Sequence, residues 1–187
     1  MKKALVFIII LFSIVLFSYF FKQQKQSQIL DQAEQEKMSA SQKLFTNATL
    51  TIPETTILVD FSSEVGSVAQ YTDGEAEFAE HGTVTLFKDH VESVADEELV
   101  AFFAVDRGGS GTEIYLAVFT PGENSYQMKG SVFLGDRVEI DSLNVDDDDT
   151  ITVAYREHGA DQAMAEEPTT VVEKTFTYQE LVESSQE

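Results

Sequence analysis

Two unbroken apolar runs lie close together in the chain, Leu99–Val105 and Glu113–Phe119, separated by the glycine-rich segment Arg107–Thr112. Short apolar runs bounded by turn residues mark strands covered on both faces; strands exposed on one face alternate instead. These two runs are therefore expected to be the central strands of a sheet. Alternation marks the others. Leu50 and Ile52 fall between threonines, Pro53 and Glu54 make a turn, and Ile57–Val59 follows, which predicts a small hairpin. Val84 and Leu86 alternate with Thr83 and Thr85 inside Gly82–Glu92. Ser131–Leu134 and Arg137–Val145 read as a strand or a pair hinged at Gly135 and Asp136. Val138 and Ile140 share one parity, Leu143 and Val145 the other, and a bulge near Asp141 and Ser142 reconciles them. Ile151, Val153 and Tyr155 alternate, and Val171–Tyr178 is the last expected strand. Residues 60–81 and 157–168 are polar and read as long loops. About eight strands, with no helix after residue 46, predict a mainly β fold: an antiparallel sheet folded into a sandwich or open barrel.

The amino-terminal end follows a different pattern. Residues 4–21 hold no charged side chain. A helix of that length spans about 27 Å, close to the hydrocarbon thickness of a bilayer. Lys2 and Lys3 precede it and favour a cytoplasmic amino terminus. The segment after it, Lys22–Gln28, contains no small–x–small cleavage site, so an uncleaved signal anchor is expected. Residues 22–46 contain no Gly or Pro and suit a polar spacer helix; Leu30, Ala33, Lys37, Ala40 and Leu44 give only a weak a/d pattern. The expected organisation is an anchor at 1–21, a spacer at 22–46, a β domain at 47–178 and a polar tail at 179–187. The domain would then lie in the periplasm or outside a bacterial cell, with residues 4–21 in the lipid bilayer.

Charge narrows the partners. The chain carries 33 acidic and 12 basic residues. From residue 47 onward six basic side chains face 30 acidic ones, a net of −24. Nucleic acid and anionic membrane surfaces repel such a domain. There is no cysteine, so the fold must be stable without disulfides.

Few residues carry recognisable chemistry. Gly108–Thr112 approaches a nucleophile elbow around Ser110, but position 112 is threonine and the segment lies between two expected strands, not a strand and a helix. A glycine turn that visits positive φ explains it better, although its amides beside Arg107 could form an anion nest. His81, His90 and His158 show no metal-binding spacing, and His81 and His90, nine apart, fall on opposite faces of one strand. Asp146–Asp149 fails as an EF-hand loop, because Ile151 stands where glycine is required. No phosphate-loop or dinucleotide fingerprint is present.

Gly108–Thr112, Tyr115–Val118, Val132–Val138 and Ala163–Thr169, together with the opening hairpin 47–59, resemble a family of uncharacterised bacterial exported or membrane-anchored proteins. The resemblance implies a β-rich extracytoplasmic domain of unknown function and supplies no catalytic residues. Members of that family carry an acidic turn of the type Asp-x-Asn-Gly-Asp-Gly before the first central strand; here Val94–Glu98 has neither glycine nor asparagine.

The expected function is a non-enzymatic binding or interaction module, with no cofactor and no metal. Its expected face is built from the 107–112, 135–137 and 157–168 loops: Arg107, Gly109, Ser110, Gly111, Thr112, Asp136, Arg137 and His158. Its partner would be another envelope protein or a small ligand, not nucleic acid. Two alternatives are an envelope hydrolase using Ser110 or paired carboxylates, and an acidic domain that binds divalent cations.

Overall fold

The computed structural model describes Lys22, Leu44 and residues 47–62, 67–73, 80–95 and 97–183. The chain divides into units 1–38 and 39–187, and of these residues only Lys22 belongs to the first. The expected membrane anchor and nearly all of the spacer lie outside the described residues. Among those described, no helix is long and apolar enough to cross a membrane.

The second unit is mainly β. Ten strands follow one another: β1 (Asn47–Thr51), β2 (Leu58–Ser62), β3 (Val68–Asp73), β4 (Glu80–Val94), β5 (Glu98–Asp106), β6 (Glu113–Pro121), β7 (Tyr126–Asp136), β8 (Glu139–Val145), β9 (Thr150–Glu157) and β10 (Thr170–Thr177). A short helix, α1 (Tyr178–Glu183), ends the fold. Seven strands form one sheet in the order β2-β1-β7-β6-β5-β4-β3, and the other three form a second in the order β10-β9-β8. The edge strands β2 and β3 approach each other, so the large sheet is a nearly closed barrel.

The two apolar runs are β5 and β6, and the reason for their lack of alternation is visible in the packing. Odd-numbered residues of β5 (Leu99, Ala101, Phe103 and Val105) point into the barrel with Tyr115, Ala117 and Phe119 of β6. Even-numbered ones (Val100, Phe102 and Ala104) point outward with Ile114, Leu116 and Val118. There the small sheet covers them through Leu143, Ile151, Val153 and Tyr155, together with Leu181 of α1. Each large side chain taken out of water in this way contributes about 1.5–3 kcal/mol, so strands with two apolar faces hold both layers together.

Four local features differ from the sequence expectation. The described residues form ten strands, because residues 60–81 are not one loop: β2 runs to Ser62 and β3 pairs with β4, Tyr71 opposite Gly82. A Cβ at Gly82 would come within 2.4 Å of the Tyr71 ring and of the Asp106 carbonyl, so only glycine lets that ring cross the strand. The sheet is not wholly antiparallel, since β1 runs parallel to β7. Residues 178–183 are helical, and Leu181 is buried. Leu44, from the expected spacer, is fully buried in the barrel core, so the packed unit reaches upstream of Asn47. The expected bulge is present: the β8–β9 register skips between Ile140 and Ser142, which brings Val138, Ile140, Leu143 and Val145 to the same core.

Candidate functional site

In the β5–β6 connection Gly108 and Gly111 stand where a side chain would crowd its neighbours, while Gly109 faces open space. Gly108 has φ +83°, and a Cβ there would lie 2.9 Å from the His81 carbonyl. Its N–H donates to Asp106 Oδ1 at 2.8 Å. A Cβ on Gly111 would lie 3.2 Å from Asp136 Oδ1. That carboxylate accepts the Thr112 N–H at 2.7 Å, and the Arg137 N–H donates to the Thr112 carbonyl at 2.8 Å. Asp136 and Arg137 are thus stitched to the glycine loop by main-chain bonds.

Arg137 extends the network. Its Nη2 lies 3.1 Å from Asp136 Oδ2, and its Nη1 donates to the Met164 carbonyl at 3.3 Å. His158 Nε2 donates to the Glu166 carbonyl at 2.8 Å, folding the 157–168 loop on itself. Its Nδ1 is buried without a hydrogen-bond partner among the described residues. The three loops expected to share a face are therefore joined. Arg107, Gly109, Gly111 and Asp136 line one pocket of about 310 Å³. Ser110 is exposed, and Thr112 sits beside Asp136.

Arg107 works differently from the expectation of an anion-binding cation. Its Nε donates to Glu113 Oε2 at 3.0 Å, and its Nη2 to the Pro53 carbonyl at 3.2 Å. Burial pushes its pKa down, but the hydrogen bond and charge of Glu113 outweigh this and raise it. The Tyr115 hydroxyl donates to the same Glu113 oxygen at 3.0 Å. Burial, then the Glu113 carboxylate, push Tyr115 up to about 12. Since both guanidiniums already face carboxylates, the loop offers an anion no spare positive charge at Arg107 or Arg137.

Sequence patterns did not single out Phe133, Glu113 or Tyr115. Phe133 lines the pocket and is 51% exposed, while its neighbours Val132 and Leu134 pack into the outer core. The unbroken run Val132–Leu134 was the available sign, because in a strand it puts apolar groups on both faces. A second cleft of about 340 Å³ opens on the other side of the glycine loop, between Thr72, His81, Thr83 and Asp106. There a His81 ring nitrogen meets the Thr72 hydroxyl at 3.1 Å.

Other candidates are accounted for by structural contacts. Ser110 makes no hydrogen bond to His81, His90 or His158 among the described residues; His90 packs edge-on against Phe102. In the acidic loop, Asp146 Oδ1 accepts the Asp148 and Thr150 N–H groups at 3.0 and 2.8 Å. Asp149 Oδ1 accepts the Ala95 N–H at 3.0 Å, tying this loop to the β4–β5 turn. Among the described residues no three His, Asp or Glu side chains group as a metal site. Comparison with family models, curated proteins and solved structures found no match to this chain.

Proposed function

We propose that this protein is a single-pass membrane-anchored module whose β domain faces outside the cytoplasm and binds a partner without catalysing a reaction. One observation carries the binding reading. Three connections far apart in sequence, 107–112, 135–137 and 157–168, are hydrogen-bonded into one end of the barrel beside the half-exposed Phe133. Phe133 is one of five large apolar side chains exposed among the described residues, and of these it is the aromatic one that lines a pocket, the residue type that anchors interfaces. The charged groups around it are neutralised in pairs, which suits recognition more than acid–base chemistry. The acidic excess favours a basic partner. The uncharged stretch at residues 4–21 supports the anchor, and the resemblance carried by Gly108–Thr112 and Val132–Val138 points to the same compartment.

The test is affinity capture from solubilised cell envelope with the full chain in detergent, comparing wild type with Phe133→Glu. A stoichiometric partner held by the wild type and lost from the variant is expected. If wild type and variant retain the same proteins, this face is not the binding site.

A further inference from the structure

Among the described residues the pairing of the barrel wall is incomplete beside Phe133. β1 pairs with β7 only through Ala48 opposite Tyr126 and Thr49 opposite Gln127. β7 continues to Asp136. Along Val132–Asp136 it is bonded to β6 on one side, and among the described residues no strand pairs with it on the other. Arg107 Nη2 donates to the Pro53 carbonyl at 3.2 Å, which ties the β1–β2 turn to the β5–β6 connection.

The open stretch faces inward. Phe133 lies opposite Tyr115, with ring centroids 5.4 Å apart, and Tyr115 stacks on Phe103 at 5.1 Å. Phe103 is fully buried, Tyr115 is 6% exposed and Phe133 is 51% exposed. An aromatic row therefore runs from the barrel core to the gap and ends in water.

We infer that the open edge of β7 at Val132–Asp136 accepts an extended, basic segment of a partner polypeptide as an added strand. This rests on the binding face proposed above and states its mode. The geometry of the edge and its lack of charge select a strand, and the domain's charge selects its sign. Only another extended main chain satisfies a free strand edge while placing alternate side chains toward the core, where one would cover Phe133. Exposed edges are ordinarily blunted by charge or proline. Strand β10, the free edge of the small sheet, follows that rule with Glu173 and Lys174. Along the proposed edge, Val132–Gly135 carries no charged side chain, and the charge at its end, Asp136, is paired with Arg137. Charge complementarity fixes the partner's sign, because six basic residues face 30 acidic ones from residue 47 onward and the two guanidiniums at this end are paired.

The experiment selects displayed random heptapeptides against the full chain in detergent, then measures the synthesised winners. The expected peptides are basic, carry an apolar residue at alternate positions, and slow amide exchange at Phe133–Asp136. N-methylation of alternate peptide amides should abolish binding, with the intervening positions tolerant. Phe133→Glu and Phe133→Ala should each weaken binding at least tenfold with unchanged circular dichroism. Tolerance of N-methylation everywhere, with Phe133 still required, overturns strand addition and leaves the binding face standing. Indifference to Phe133, or no enriched peptide, overturns strand addition. So does concentration-dependent dimerisation that Phe133→Glu abolishes, which would make the occupant a second copy of the chain.

Discussion

Ala95 and Glu97 sit at φ 41° and 67° in the turn between β4 and β5. A side chain in that left-handed region costs about 1–2 kcal/mol, and glycine escapes most of it. Glycine gives back about 0.5–1 kcal/mol through the freedom of the unfolded chain, so the net gain is small but positive. Ala95→Gly keeps the N–H that donates to Asp149 Oδ1. Ala95→Gly and Glu97→Gly are each expected to stabilise the domain by about 0.5 kcal/mol, read as a higher urea midpoint at unchanged slope. A lower midpoint would mean that the side chains hold the turn in some other way. Tyr115 gives a second test at this scale. Its pKa is raised from the ordinary 10 to about 12, so the folded domain keeps a proton the unfolded chain releases. That contribution is complete below about pH 10 and lost as the pH rises toward 12. Tyr71 and Tyr178, both raised first by burial, act in the same direction. Urea unfolding at pH 9 and pH 11.5 should show a smaller alkaline loss in Tyr115→Phe than in the wild type.

Elements were legible where the pattern is local. Leu99–Val105 and Glu113–Phe119 announced two-faced strands, and the parity change at Asp141 announced a bulge. β3 was hidden because only Ala69 and Tyr71 of its six residues face the core. The parallel β1–β7 pairing, and with it the open edge beside Phe133, depends on chain topology that no local window contains. The 107–112, 135–137 and 157–168 loops were expected on one face, and hydrogen bonds join them; the pairing of Arg107 with Glu113 had no sign in the sequence pattern. Helix α1 did have a signature. Thr177 and Glu180 form a capping box: the Thr177 N–H donates to Glu180 Oε2 at 2.7 Å, and the Glu180 N–H donates to Thr177 Oγ1 at 3.3 Å. The backbone N–H, then the hydroxyl, lower the Glu180 pKa. The cap is therefore intact at neutral pH and is lost as the pH falls through that lowered value. Thr177→Ala should cost about 1 kcal/mol, read by urea unfolding. An unchanged midpoint would mean that Leu181, buried in the outer core, holds the helix without its cap.

At the scale of the whole molecule, the barrel and the small sheet cannot be separate folding units, because β5 and β6 supply a large share of both cores. Phe103 is fully buried inside the barrel, and Phe102, the next residue, is fully buried between the barrel and the small sheet. If the outer layer melted alone, it would strip Val100, Phe102, Leu116 and Val118 of their cover. That exposure would be imposed on strands still required by the inner core, so the open barrel would be a poor resting state. Phe102→Ala and Phe103→Ala should each cost about 3–5 kcal/mol, since both leave a cavity the neighbours cannot fill. Both should also shift one common transition, with far-ultraviolet circular dichroism and tyrosine fluorescence coincident in each variant. Loss of tyrosine signal ahead of strand signal in Phe102→Ala alone would show that the small sheet leaves first. The barrel would then be the independent unit, and β5 and β6 would tolerate one bare face.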